Sequence, residues 1–187
     1  MKRLLLIILL IGNTVFAQPA LRPGDLLFFS DTTGMGNAVQ ESTGEYTHVA
    51  IAIDSVWTID ATPGDGVALS PRYQGTGVKA DIYRLTIPFD TAAVVAQAKS
   101  FTGQPYDNTF LPDNGALYCS ELVYECYLDS NGNPLFEAKP MNWRDRNGNM
   151  PQYWQEHFKK LGMPVPEGVM GTNPTDLSRS PRLHKLN

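Results

Sequence analysis

Two apolar stretches, residues 48–53 and 56–61, are separated by only Asp54 and Ser55. So short a connection commits them to an antiparallel hairpin, because parallel strands need a long crossover. In the first stretch His48, Ala50 and Ala52 share one face, and in the second Val56, Thr58 and Asp60 do. Directly opposed residues point the same way. Setting His48 opposite Asp60 puts Ala52 opposite Val56 and makes the loop Ile53-Asp54-Ser55, a common three-residue connection. A two-residue loop of Asp54-Ser55 opposes His48 to Ala61 instead and turns Asp60 away. An imidazole paired with a carboxylate therefore requires the longer loop or a bulge. The small Ala50 and Ala52 leave space on the His48 face for a packed helix or a substrate.

The rest of the chain reads as further strands, then helices, with no internal repeat or linker. The turn Leu21-Arg22-Pro23-Gly24-Asp25 leads into a strand at 26–30. Residues 34–44 are polar and bounded by glycines, with a short helix around 37–41. Strands are expected at 66–69 and 80–87. Asp90 is placed to cap a helix over 91–101, which Gly103 ends. Residues 106–115 form a loop, and a helix follows from Cys119 to about Asp129. Residues 129–150 lose apolar periodicity, and 152–160 is a short amphipathic helix stopped by Gly162. The Pro-, Gly- and Ser-rich tail is an ordered wrap or a frayed end. These elements define an α+β fold, an antiparallel sheet or small barrel packed against a helix.

Cys119 stands at the first turn of its helix, in Tyr118-Cys119-Ser120-Glu121-Leu122-Val123. There the helix dipole favours a thiolate, and a neighbouring imidazolium favours it further. With His48 as base and Asp60 orienting the ring, the chain holds the parts of a cysteine hydrolase. The backbone amides of Cys119 and Ser120 are candidate oxyanion donors, since first-turn N–H groups lack helical acceptors. Glu121, Tyr106 and Tyr118 are candidate substrate contacts. Glu121 equally suits the helix dipole without any function, and so near a thiolate it opposes ionisation. Cys126 lies on the helix-periodic stripe Leu122, Val123, Cys126, Tyr127 and reads as core. Seven residues along a helix rise roughly 10 Å, whereas a disulfide tolerates Cα separations of up to about 7 Å. The two cysteines therefore do not bond within one helix.

Residues 1–17 have the pattern of a secretory signal peptide: Lys2 and Arg3, an apolar run too short to span a bilayer, and small residues at Val15 and Ala17. The expected mature domain is 18–187, with 13 basic against 19 acidic residues and a net charge of about −6. No basic stripe is present to neutralise phosphates, so nucleic acid is not an expected partner. No later segment is long and apolar enough to cross a membrane. No cofactor or metal is expected. His157 and His184 lack partners at ligand spacing and read as surface residues. Asp129-Ser130-Asn131-Gly132-Asn133 and Asp145-Arg146-Asn147-Gly148-Asn149 hint at calcium loops, but neither has Gly at the sixth position and turn chemistry explains both.

At Pro23-Gly24-Asp25-Leu26-Leu27-Phe28, Thr47-His48-Val49-Ala50-Ile51, Ile59-Asp60-Ala61 and Tyr118-Cys119-Ser120-Glu121-Leu122-Val123, the chain resembles the circularly permuted papain-like NlpC/P60 proteins, in the YiiX/YebB-like branch classed with cysteine peptidases. Tyr106-Asp107 with Phe110, and Pro151-Gln152-Tyr153-Trp154 through Val165-Pro166-Glu167-Gly168, extend the likeness over nearly the whole mature chain. The resemblance implies a permuted fold in which the nucleophile helix follows the sheet. It implies Cys119 as nucleophile, His48 as base and Asp60 as orienting group. That last position is often Glu in the family, and Asp60 is one methylene shorter.

Three functions are carried forward. The first is an exported, periplasmic or secreted cysteine amidase or peptidase acting on cell-wall peptides. The second is a lipid thioesterase or acyltransferase, with an apolar groove walled by residues 34–44 and 129–150. The third is a non-catalytic module binding a peptide or acyl lipid.

Overall fold

The computed structural model describes residues 20–32, 34–71 and 79–187; the expected leader lies outside them. The chain begins with β1 (Leu26–Phe29), α1 (Gly34–Thr43), β2 (His48–Ala52), β3 (Trp57–Thr62), β4 (Gly66–Pro71) and β5 (Asp81–Leu85). It continues through α2 (Thr91–Ser100), α3 (Cys119–Cys126), β6 (Lys139–Pro140), α4 (Gln152–Lys160), β7 (Met170–Gly171), α5 (Pro174–Ser178) and β8 (Leu183–Lys185). Six strands make one antiparallel sheet in the order β4-β3-β2-β1-β5-β8, and β6 pairs with β7.

The hairpin has the three-residue length that the His48–Asp60 pairing needs, but it turns one residue later than expected. Ile53 N–H donates to Trp57 O at 2.8 Å, so the loop is Asp54-Ser55-Val56. Asp54 sets this turn, its Oδ1 accepting from the N–H groups of Val56 and Trp57 at 2.7 Å each. The ladder pairs Ile51 with Ile59 and Ala52 with Thr58. Carried on, this register sets Asp60 opposite Ala50 and diagonal to His48, still on one face.

Alternation along the strands divides the core in two. Leu26, Phe28, Val49, Ile51 and Ile59 face α3, packing with Cys119, Leu122 and Val123. Leu27, Phe29, Ala50, Ala52 and Ile82 form a smaller cluster on the other face. Ala50 and Ala52 are thus fully packed, and the space expected beside them is filled. A third cluster joins α1 and α4 to the loops through Ala38, Phe110, Trp143, Trp154 and Phe158. Phe110 sits at its centre with φ +55°. That strained backbone is held by ring contacts to Tyr118 at 5.2 Å and Trp143 at 5.2 Å.

Buried polar groups fix the remaining connections. Arg84 bridges both carboxylate oxygens of Asp25 at 2.6 and 2.7 Å, and Asp25 is 1% exposed. Gly66 (φ +65°) passes so close to the loop after α2 that a Cβ there would meet Gln104 O at 2.2 Å. Asp90 caps α2 as expected, accepting from Ala93 N–H at 2.9 Å. α3 is shorter than expected. It ends at Cys126 because Tyr127 leaves helical geometry and accepts from Leu135 N–H at 2.7 Å. The tail is an ordered wrap: α5 follows its Asn173 cap, and β8 adds a strand beside β5. In the two loops compared with calcium sites, Asp129 and Asp145 instead accept from backbone N–H groups two and four residues on.

Candidate active site

His48 opens β2 and Cys119 opens α3, so both stand at the ends of their elements, where side chains reach past the sheet. His48 Nε2 is 2.7 Å from Asp60 Oδ2. That leaves Nδ1 on the other side of the ring, and Cys119 is near enough to raise the pKa of His48. The His48 side chain is 21% exposed and that of Asp60 only 2%. Phe29 lies against the ring, centroids 5.7 Å apart. Burial alone lowers the pKa of His48. Hydrogen bonds to Asp60 and Cys119, with the charges on both, outweigh burial and raise it from 6.5 to about 10. The imidazolium is therefore the favoured form at neutral pH, and Asp60 holds it on one side.

Cys119, 7% exposed, opens into a cavity of about 310 Å3. His48 and Ser120 line the same cavity. Met35 and Val39 of α1 form one wall, Phe110 and Trp154 another, and Met141 and Trp143 a third. Two of these walls come from the segments 34–44 and 129–150 named as candidates from the sequence. Trp154 fixes α1 to α4, its Nε1–H donating to Ser42 Oγ at 3.1 Å. As first and second residues of α3, Cys119 and Ser120 have amides without intrahelical acceptors, beside the sulfur.

The other candidates divide. Tyr106 and Tyr118 line the cavity. Tyr106 donates its hydroxyl to Met35 Sδ at 3.7 Å, and the Tyr118 oxygen accepts from Thr172 N–H at 3.1 Å. Glu121 is turned away from the cavity: its Oε2 accepts from Tyr118 N–H at 3.3 Å, closing the start of the helix. Burial raises its pKa to about 8, aided by Asp107, Glu125 and Asp113. A neutral Glu121 does not oppose a thiolate two residues away. Cys126 is a core residue, and burial pushes its thiol up; both cysteines are free. His157 is tied rather than free on the surface, its Nε2 standing 2.7 Å from Asn108 O. Sequence reasoning missed Phe110, Trp154 and Thr172 as cavity walls. Their aromatic and turn-rich contexts resemble ordinary packing, and only the chain's path brings them together.

The sequence model of the permuted papain-like amidase enzymes (YaeF/YiiX, C92 family) matches residues 20–187. The chain belongs to this family. It is 25% identical over 194 residues to "Uncharacterized protein YiiX" of Escherichia coli strain K12, covering 97% of this chain and 93% of that protein. A crystal structure described as metalloprotein YiiX from Escherichia coli O157:H7 superposes with a TM-score of 0.73. That alignment covers 90% of this chain and 97% of the other at 22% identity, so it carries the fold alone. Membership makes the chain a permuted papain-like hydrolase by family, with the sheet preceding the nucleophile-position helix.

Proposed function

We propose that this protein is an exported cysteine amidase whose nucleophile is Cys119, acting on a peptide amide in cell-wall peptides. The observation that carries the reading is one imidazole held 2.7 Å from Asp60 and lining the same cavity as Cys119. In the proposed reaction the sulfur of Cys119, its proton already resting on the His48 imidazolium, attacks the carbonyl carbon. The resulting oxyanion is received by the amides of Cys119 and Ser120. His48 returns the proton to the leaving amine, giving a thioester. Water then cleaves the thioester, with His48 as base, and frees the acid. Asp60 keeps the ring oriented throughout.

The crystal structure from Escherichia coli O157:H7 is described as that of a metalloprotein. Among the described residues of this chain, no group of three or more His, Cys, Asp or Glu side chains is placed to hold a metal ion. The donor set does not fit such a group, and no step is assigned to one. Among the described residues no helix is long and apolar enough to cross a membrane.

The apolar walls favour one alternative on the same nucleophile, a thioesterase or acyltransferase for lipids. A cavity of about 310 Å3 lies at the small end of ligand sites, which suits a short acyl group better than a long chain. The test is incubation with peptidoglycan fragments and acyl-lipid probes, followed by mass spectrometry for an adduct on Cys119. Cys119→Ala is expected to fold normally and to lose turnover. Undiminished turnover in that variant refutes the mechanism.

A further inference from the structure

Among the described residues, two buried side-chain polar atoms lack a hydrogen-bond partner, Ser120 Oγ and Thr172 Oγ1. The residues are 1% and 5% exposed, and both line the cavity that holds Cys119. Neighbouring hydroxyls are satisfied. Thr47 Oγ1 accepts from Asp31 N–H at 2.8 Å, and Ser42 Oγ donates to Trp143 O at 3.0 Å. A buried hydroxyl without a partner is costly, and native folds keep few of them. Here two occur in the wall of one cavity, contributed by segments 52 positions apart in sequence.

Both are rigidly placed. Ser120 is in the first turn of α3, next to the nucleophile position. Thr172 is pinned through its own backbone, whose N–H donates to Tyr118 OH at 3.1 Å. The preceding Gly171 is pressed against Tyr118 and Met141, where an added Cβ would meet Tyr118 Oη at 2.9 Å and Met141 Sδ at 2.8 Å. A hydroxyl both donates and accepts. A peptide unit offers a matching N–H and C=O, whereas a hydrocarbon chain offers neither.

We propose that Ser120 and Thr172 determine specificity by hydrogen-bonding an amide group of the substrate next to the scissile carbonyl. The preferred acyl group is then that of an N-acylated amino acid or peptide with an apolar side chain, and a plain fatty acyl group is rejected. Rejection follows because a hydrocarbon would leave both hydroxyls unpaired in the closed complex. The inference takes its orientation from the reading of Cys119 as nucleophile, while the binding it asserts does not depend on turnover.

The test uses the Cys119→Ala protein and calorimetric binding of two probes: N-acetyl-L-leucinamide, and its analogue with the acetamido group replaced by propyl. The first is expected to bind at least about tenfold tighter. Adding Ser120→Ala or Thr172→Val is expected to shrink that preference severalfold, and Thr172→Val is expected to melt no lower than its parent. A preference near unity, binding of neither probe, equal losses on both probes, or a lowered melting temperature for Thr172→Val overturns the proposal. Wild-type turnover of N-acetyl-L-leucine p-nitroanilide is read separately. Absent turnover with the binding preference intact refutes the nucleophile reading and supports this one.

Discussion

Replacing Asp60 by Asn removes one charge from the most buried part of the site and keeps its shape. Asp60 Oδ2 lies 2.7 Å from His48 Nε2, and the His48 pKa stands at about 10 against 6.5 in an unperturbed ring. That difference corresponds to about 5 kcal/mol. Asp60 and Cys119 both produce it, and an equal division assigns about 2 kcal/mol to Asp60. A raised folded-state pKa gives stability that is fully present below the unfolded value of 6.5 and lost as pH rises through about 10. Asp60→Asn is therefore expected to be about 2 kcal/mol less stable than wild type near pH 6, with the gap closing by about pH 10. Urea unfolding of both proteins across this range measures it, with equal slopes confirming that the unfolded states match. A gap that stays constant across the range, or widens with pH, refutes the protonated His48–Asp60 pair and the activation of Cys119 built on it.

Glu121→Gln removes a carboxyl whose pKa is raised to about 8. Wild type should lose stability as pH rises from 4.5 to 8, and the variant's melting temperature should be flatter across that interval. Asp25→Ala leaves Arg84 without its carboxylate, and denaturant unfolding should register a loss of about 3 kcal/mol. Gly66→Ala combines a φ of +65° with a Cβ 2.2 Å from Gln104 O. Its melting curve should report a loss of about 2 kcal/mol or more.

The sheet was legible because its strands alternate, and the hairpin logic placed His48 and Asp60 on one face. The register was not, because the Asp54 side chain captures two amides and moves the turn by one residue. The tail strand β8 gave no signal: Leu183-His184-Lys185 has too few residues to show a period, and it is ordered by β5 and by Lys185 meeting Asp81 at 2.6 Å. Cys119 could be singled out by its position at a helix start. Glu121 could not be assigned from sequence, because a first-turn acid can face a substrate or close its own helix, and only burial separates the two. The cavity walls depend on distant aromatic residues meeting around Phe110, a contact pattern with no local trace.

Asp60 and His48 sit on one short hairpin, 12 residues apart, whereas Cys119 arrives 59 residues after Asp60. Local contacts of this kind form early in folding and distant ones late. A nascent or partly unfolded chain can thus carry a paired imidazole and carboxylate before Cys119 reaches them. On the proposed mechanism, attack on a carbonyl would then be a property of the finished tertiary structure alone.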